Sequence, residues 1–156
     1  MPFSKILKPK NEFYLERVGN NNDGGYLVNP NQIKDSKHLI SFGIFDDWTF
    51  EKNVLKINNN ILIVCYDDQI SFKFIFVRKI KQLIIDIFKF NFKNIFNYFY
   101  TIIDYSYSRS KLNFHKKKIK KNDLIEIIKD KDLVFLKVDI EGEEYNILDD
   151  ILKIDD

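Results

Sequence analysis

The chain has 156 residues, a length that suits one domain with one sizeable core. Lys and Arg number 25 against 23 Asp and Glu, so the net charge is only +2. That balance excludes a general affinity for nucleic acid, whose sequence-independent part needs a strong basic excess. The single cysteine, Cys65, excludes an intramolecular disulfide and fits a reducing compartment.

The start, Met1 to Lys10, has no apolar h-region and does not read as a signal peptide. Phe13 to Val18 and Tyr26 to Val28 read as two short strands. The segment Gly19 to Gly25 joins them and is rich in residues that tolerate left-handed backbone, so a hairpin is expected there. His38 to Phe42 reads as a buried strand, Gly43 to Asp47 as a turn, and Trp48 to Ile57 as a helix. Ile61 to Tyr66 is a second apolar, β-branched run, bounded by Asn58-Asn59-Asn60 and Asp67-Asp68, and reads as another buried strand.

Phe72 to Ile103 carries apolar residues at helical spacing, which predicts one broken helix or two helices with charges on the outer face. Lys73, Arg78, Lys79, Lys81, Asp86, Lys89 and Lys93 interrupt this stretch, whereas a membrane span needs roughly 18 or more nearly uncharged residues. The expectation is a soluble, cytoplasmic protein without a membrane span. Ser106 to Ser110 reads as a loop and Leu112 to His115 as a short strand. Asp123 followed by Glu126 suggests a capping box for a helix to Lys129. Leu133 to Val138 reads as a strand and Glu143 to Ile154 as the last helix. Strands alternating with helices imply a parallel sheet covered on both faces. There is no internal repeat and no low-complexity linker.

In such folds ligands bind beyond the C-terminal ends of the strands, near the point where the strand order reverses. Three acidic turns fall at strand ends. The first, Gly43 to Asp47, has one glycine where a dinucleotide loop has three, which argues against NAD or FAD. The second, Asp67-Asp68, lies near the distance at which nucleotide-binding α/β folds place an acid for ribose hydroxyls, about 20 residues past the glycine turn. Solvated acids capping a turn explain it equally well. The third, Asp139 to Glu144, could hold a divalent cation or supply a base. Glu143 and Glu144 are better read as favourable charge at a helix N-terminus, whereas Asp139, at the end of an apolar strand, is a functional candidate. The turn lacks the spaced oxygen ligands of a calcium loop, so no metal is expected. His115 is followed by Lys116, Lys117 and Lys118 and reads as a solvated basic face, and Trp48 as core or crevice wall. There is no Ser-His-Asp arrangement, P-loop or zinc spacing.

Three segments carry a resemblance. They are Arg17-Val18-Gly19 with Asp23-Gly24-Gly25-Tyr26-Leu27-Val28, then Ser41 to Glu51, then Leu136-Lys137-Val138-Asp139-Ile140-Glu141-Gly142-Glu143-Glu144-Tyr145. Together they resemble the FkbM-like methyltransferases. The last segment is the most specific, and the middle region, Phe72 to Lys121, matches only in general character.

The resemblance implies a Rossmann-like class I fold of α/β type, with a mostly parallel sheet of about four strands. Residues 1–30 would form an N-terminal hairpin extension and residues 36–156 the core. It implies transfer of a methyl group from S-adenosylmethionine (SAM) to an oxygen, with a small-molecule or saccharide hydroxyl as acceptor. By position, Gly43 and Asp46 would line the cofactor, Asp67 or Asp68 would hold its ribose, and Asp139 with Glu141 would border the reacting centre. Asp139 or Glu141 would take the hydroxyl proton. The chain carries Phe45 where related sequences commonly have a second glycine. The family fold has further strands after the fourth, so the expectation from an end at Asp156 is a C-terminally incomplete sheet. Its Leu133–Val138 edge would then be open to self-association. The other reading is a non-catalytic remnant that binds a nucleoside-like ligand or serves as a structural partner domain.

Overall fold

A computed structural model describes residues 14–151 apart from 22, 141 and 143. Glu141, Glu143 and the start of the first expected strand at Phe13 lie outside the described residues.

The hairpin pairs β1 (Glu16–Gly19) with β2 (Gly25–Val28) in antiparallel register, from Glu16 opposite Val28 to Gly19 opposite Gly25. A short helix, α1 (Pro30–Asp35), follows. Asn29 caps it by accepting the Asn31 N–H at 3.0 Å, and Pro30 occupies the first turn, where its missing N–H costs nothing. The sequence does not announce α1, because six residues with only Pro30 and Ile33 buried are too few to show a period.

The core alternates β3 (His38–Phe42), α2 (Thr49–Ile57), β4 (Leu62–Asp67), the helix pair α3 (Phe72–Phe88) and α4 (Ile95–Lys111), β5 (Phe114–Lys116), α5 (Asp123–Ile128), β6 (Val134–Val138) and α6 (Glu144–Ile151). The four core strands form one parallel sheet in the order β5-β4-β3-β6. The chain thus builds outward from β3 through β4 to β5, then crosses back to place β6 on the other side of β3. The strand order reverses between β3 and β6, and there the helices leaving neighbouring strands diverge and open a crevice. This is an α/β architecture compatible with a Rossmann-like fold, with the expected hairpin ahead of it.

Leu39, Ile40, Ser41 and Phe42 of β3 are all buried, as expected for a strand covered on both faces. Alternation sends Leu39 toward a cluster with Ile33, Val54, Ile63, Ile75 and Tyr105, under α1, α2 and the near ends of α3 and α4. It sends Ile40 and Phe42 to the other face, against Leu124 and Ile147 of α5 and α6. Among the described residues β6 pairs only with β3. Also among the described residues, no helix is long and apolar enough to cross a membrane.

Two local expectations are corrected. Ser106 to Ser110 is helical, the end of α4, because Tyr105 and Ser108 turn into the core and packing outweighs the weak helix preference of serine. The capping box at Asp123 does not form. The cap is Asn122, with a left-handed backbone, while Asp123 accepts the Lys120 N–H at 2.7 Å and pairs with Lys117 at 2.9 Å.

Trp48 lies in the core, edge-on to Tyr105, and its indole N–H donates to Asp104 at 2.8 Å. Lys52 also pairs with Asp104, at 2.8 Å. Trp48→Phe should therefore lower stability by about 1–3 kcal/mol, leaving a mostly buried carboxylate short of a donor. Urea denaturation followed by far-ultraviolet circular dichroism measures it. A loss below about 0.5 kcal/mol would show that the Asp104 contact contributes little.

Candidate functional site

A cleft of about 650 Å³ lies across the C-terminal ends of the core strands. Its floor is the turn after β3, its sides are the segments after β4, β5 and β6, and the hairpin covers one end through Asp23, Gly24 and Tyr26. Gly43, Asp46, Asp67, Asp68 and Asp139, from three separate turns, all line it. The sequence candidates that the structure describes are therefore brought to one place.

Gly43 is held where only glycine fits. Its φ is +75°, and a Cβ there would lie 1.8 Å from the backbone oxygen of Asp139. The near approach serves the chain itself. The Gly43 N–H donates to the Tyr66 carbonyl at 2.9 Å, and the Asp139 N–H donates to Phe42 at 3.0 Å. These bonds carry the sheet ladder past the strand ends and bring the turns after β3 and β6 into contact.

Asp67 and Asp68 have different environments. Asp67 is buried. One of its oxygens accepts the N–H groups of Ile44 (3.1 Å) and Phe45 (2.8 Å), and the other accepts those of Gln69 (2.7 Å) and Ile70 (2.9 Å). A carboxylate has about four lone-pair positions, and backbone donors occupy all of them. Asp68 is exposed, lines the cleft, and makes no hydrogen bond among the described residues.

Asp46 pairs with Arg78 at 2.8 Å and Lys79 at 2.7 Å, which fastens the β3 turn to α3. Burial would raise its carboxyl, but the two cations outweigh burial and hold it below the usual value. Phe45, at the position where the family resemblance leads one to expect glycine, has a left-handed φ of +46°. That conformation is unfavourable for a bulky side chain, and the ring's contacts offset the cost. It packs on Phe74 with centroids 5.3 Å apart, and the Arg78 guanidinium sits 4.3 Å above it.

Asp139 is exposed at the end of β6 and accepts a hydrogen bond from the Tyr26 hydroxyl, which ties the hairpin to the crevice. Burial, followed by the Asp139 contact, pushes the Tyr26 phenol well above its ordinary range. Beneath them is a polar row that the sequence reading missed. Ser41 and Lys137 are register partners on β3 and β6, and Glu51 of α2 sits over both. Ser41 donates to Glu51 at 2.6 Å, and Lys137 lies 3.4 Å from the same oxygen while donating to the Gly43 carbonyl at 2.7 Å. The Lys137 ammonium also lies 5.1 Å above the Tyr26 ring. The other Glu51 oxygen is buried without a partner among the described residues. The available signal was a lysine inside the apolar run Val134–Val138.

His115 is exposed and stacks on Tyr66, with centroids 5.2 Å apart, consistent with a solvated face. Burial raises the Cys65 thiol, which disfavours the reactive thiolate. Among the described residues no group of three His, Cys, Asp or Glu side chains is placed to hold a metal ion. The cleft lining combines carboxylates (Asp23, Asp47, Asp68, Asp139) and the cations Lys117, Lys118 and Lys137 with the apolar side chains of Phe45 and Ile140. No family model matches the chain, and neither the curated proteins nor the solved structures yield a match.

The two adjacent acids should separate in stability measurements. Asp67→Ala orphans four backbone donors and should cost at least about 2 kcal/mol, seen as a lower urea midpoint. Asp68→Ala should stay within about 0.5 kcal/mol of the parent. Equal effects would contradict the assigned contacts.

Tyr26 gives a pH dependence of known sign. With its folded pKa raised above the ordinary value of about 10, the folded state retains a proton that the unfolded state releases. Its contribution is fully present below about pH 10 and is lost as pH rises further. Denaturation midpoints should fall more steeply above that pH for the parent than for Tyr26→Phe. Parallel curves for the two proteins would refute it.

Proposed function

We propose that the chain is a SAM-dependent O-methyltransferase of FkbM-like type acting on a hydroxyl, with a sugar as the favoured acceptor class. The observation that carries this reading is the cleft at the reversal of strand order, where Asp68 after β4, with no hydrogen bond among the described residues, and Asp139 after β6, held by the Tyr26 hydroxyl, face one space. Asp68 is the acid we assign to the ribose hydroxyls, because Asp67 already accepts four N–H groups. The Phe45 ring, 39% exposed at the cleft, is the apolar surface we assign to an adenine ring.

When bound, the cofactor supplies an electrophilic methyl group on a sulfonium whose departure needs little assistance. The protein's part is then to position the acceptor in line, exclude water and receive one proton. Asp139 is the described carboxylate suited to receive it, being exposed to the cleft. The Tyr26 hydroxyl holds that carboxylate in a fixed orientation by donating to it. Lys137 holds the Gly43 turn from below and balances the acidic rim.

A second reading is supported by the same contacts. Asp46 and Asp67 are both engaged in holding turns, and Phe45 occupies space in the β3 turn, so the domain would bind a nucleoside-like ligand without turnover.

Calorimetric titration with S-adenosylhomocysteine, paired with a radiolabelled methyl-transfer assay over a panel of sugars, separates the two. The methyltransferase reading expects binding, weakened by about 1.5–3 kcal/mol in Asp68→Ala. It also expects Asp139→Asn to retain binding and lose transfer. Binding without transfer to any acceptor favours the second reading, and no binding at millimolar concentration overturns both.

A further inference from the structure

The helix pair α3–α4 is attached to the body at one end and apolar where nothing covers it. Only Ile75 of α3 and only Tyr105 and Ser108 of α4 are buried, and all three lie near the body. At the far end the connecting turn displays Phe88, Phe90, Phe92 and Phe96, which are 81%, 84%, 55% and 84% exposed. Four adjacent exposed phenylalanines are not the incidental apolar surface of a folded domain.

Two further observations indicate what covers them. The first is charge. Lys89 and Lys93 are exposed at the tip, Lys81 is exposed further down α3, and Asp86, the acid nearest to the tip, is engaged by the Tyr98 hydroxyl. A second copy of this chain would bring like charges together. An anionic lipid surface complements them, and its fluid interior accepts a convex aromatic knob without needing a matching pocket. Lysine stems can lie along the acyl boundary with their ammonium groups among the headgroups.

The second observation is backbone strain. α3 ends in a Schellman turn, with Asn91 N–H donating to Asp86 at 2.8 Å and Phe90 N–H to Ile87 at 3.0 Å. The left-handed position of that motif, ordinarily glycine, is Phe90 at φ +54°. Glycine would hold that backbone position without strain, whereas Phe90 holds it with its ring in solvent.

We propose that the α3–α4 hairpin is a peripheral membrane anchor whose aromatic tip inserts into the interface of an anionic bilayer. Phe90 lies roughly 15 Å along the helix beyond Lys79 at the 1.5 Å rise per residue, and Lys79 holds Asp46 at the cleft rim. Docking by the tip would therefore hold the cleft outside the membrane but close to it.

Flotation of the full chain with vesicles of phosphatidylcholine, alone or mixed with phosphatidylglycerol, tests this. The parent should float with the anionic vesicles, at least tenfold more strongly than with the neutral ones, and less at high salt. Phe88→Ser with Phe96→Ser should abolish flotation on both. Lys89→Glu and Lys93→Glu should each reduce partition into anionic vesicles about fivefold, with thermal midpoints unchanged. Phe90→Gly, which relaxes the turn, should keep or raise the midpoint and still weaken flotation, which separates lipid binding from misfolding. The proposal is overturned if the parent does not float with anionic vesicles, or if the double serine variant floats as well as the parent. It is equally overturned if light scattering shows a dimer that the serine variant dissociates while no vesicle binding is seen, which would assign the tip to a second copy.

Discussion

Four backbone N–H groups from two separate turns converge on the Asp67 carboxylate, and the shape of the cleft follows from that convergence. Each turn would otherwise present polar groups with no partner, since Ile44 and Ile70 are buried. A carboxylate between the turns satisfies both at once and fixes their spacing. With the β3 turn held on that side by Asp67 and on the other by the near contact of Gly43 with Asp139, the crevice between β3 and β6 cannot collapse without breaking buried hydrogen bonds.

The polar row under the cleft extends the same logic into the sheet. Ser41, Lys137 and Glu51 occupy positions where an apolar trio could pack, and one Glu51 oxygen remains unpaired among the described residues. A buried ion pair is a weak source of stability. Here it aims the Lys137 ammonium at the Gly43 carbonyl and at the face of Tyr26, linking sheet, turn and hairpin. Tyr26 completes the connection through Asp139. The hairpin is thereby a working wall of the cleft.

Two phenylalanines, Phe45 and Phe90, hold left-handed backbone positions that glycine would occupy without strain. Their surroundings differ. Phe45 is 39% exposed at the cleft, but its ring packs against Phe74 and under the Arg78 guanidinium. Phe90 has most of its surface in solvent, so its cost is not offset by contacts within the described chain. That contrast separates a cleft wall from an exposed tip.

The alternation of strand and helix, the parallel sheet and the hairpin were legible in the sequence, because buried strands are short β-branched runs and surface helices carry a 3.6-residue period. His38 to Phe42 was correctly bounded for that reason. The placement of Gly43, Asp46, Asp67, Asp68 and Asp139 at strand ends was legible too, since each follows such a run. Contacts between distant segments were not. Asp67 and Asp68 are indistinguishable acids in sequence, and only the arrival of the β3 turn, more than 20 residues earlier, makes one a buried acceptor and leaves the other open. Tyr26 meets Asp139 across 113 residues of chain. Ser106 to Ser110 became helical because Ser108 found a place in the core, and α1 formed because its cap and a single isoleucine sufficed once the sheet was there to cover. Period and composition report what each residue prefers locally. Which carboxylate is satisfied, which strains are retained and which aromatic rings remain uncovered depends on long-range neighbours, and those exist only in the folded chain.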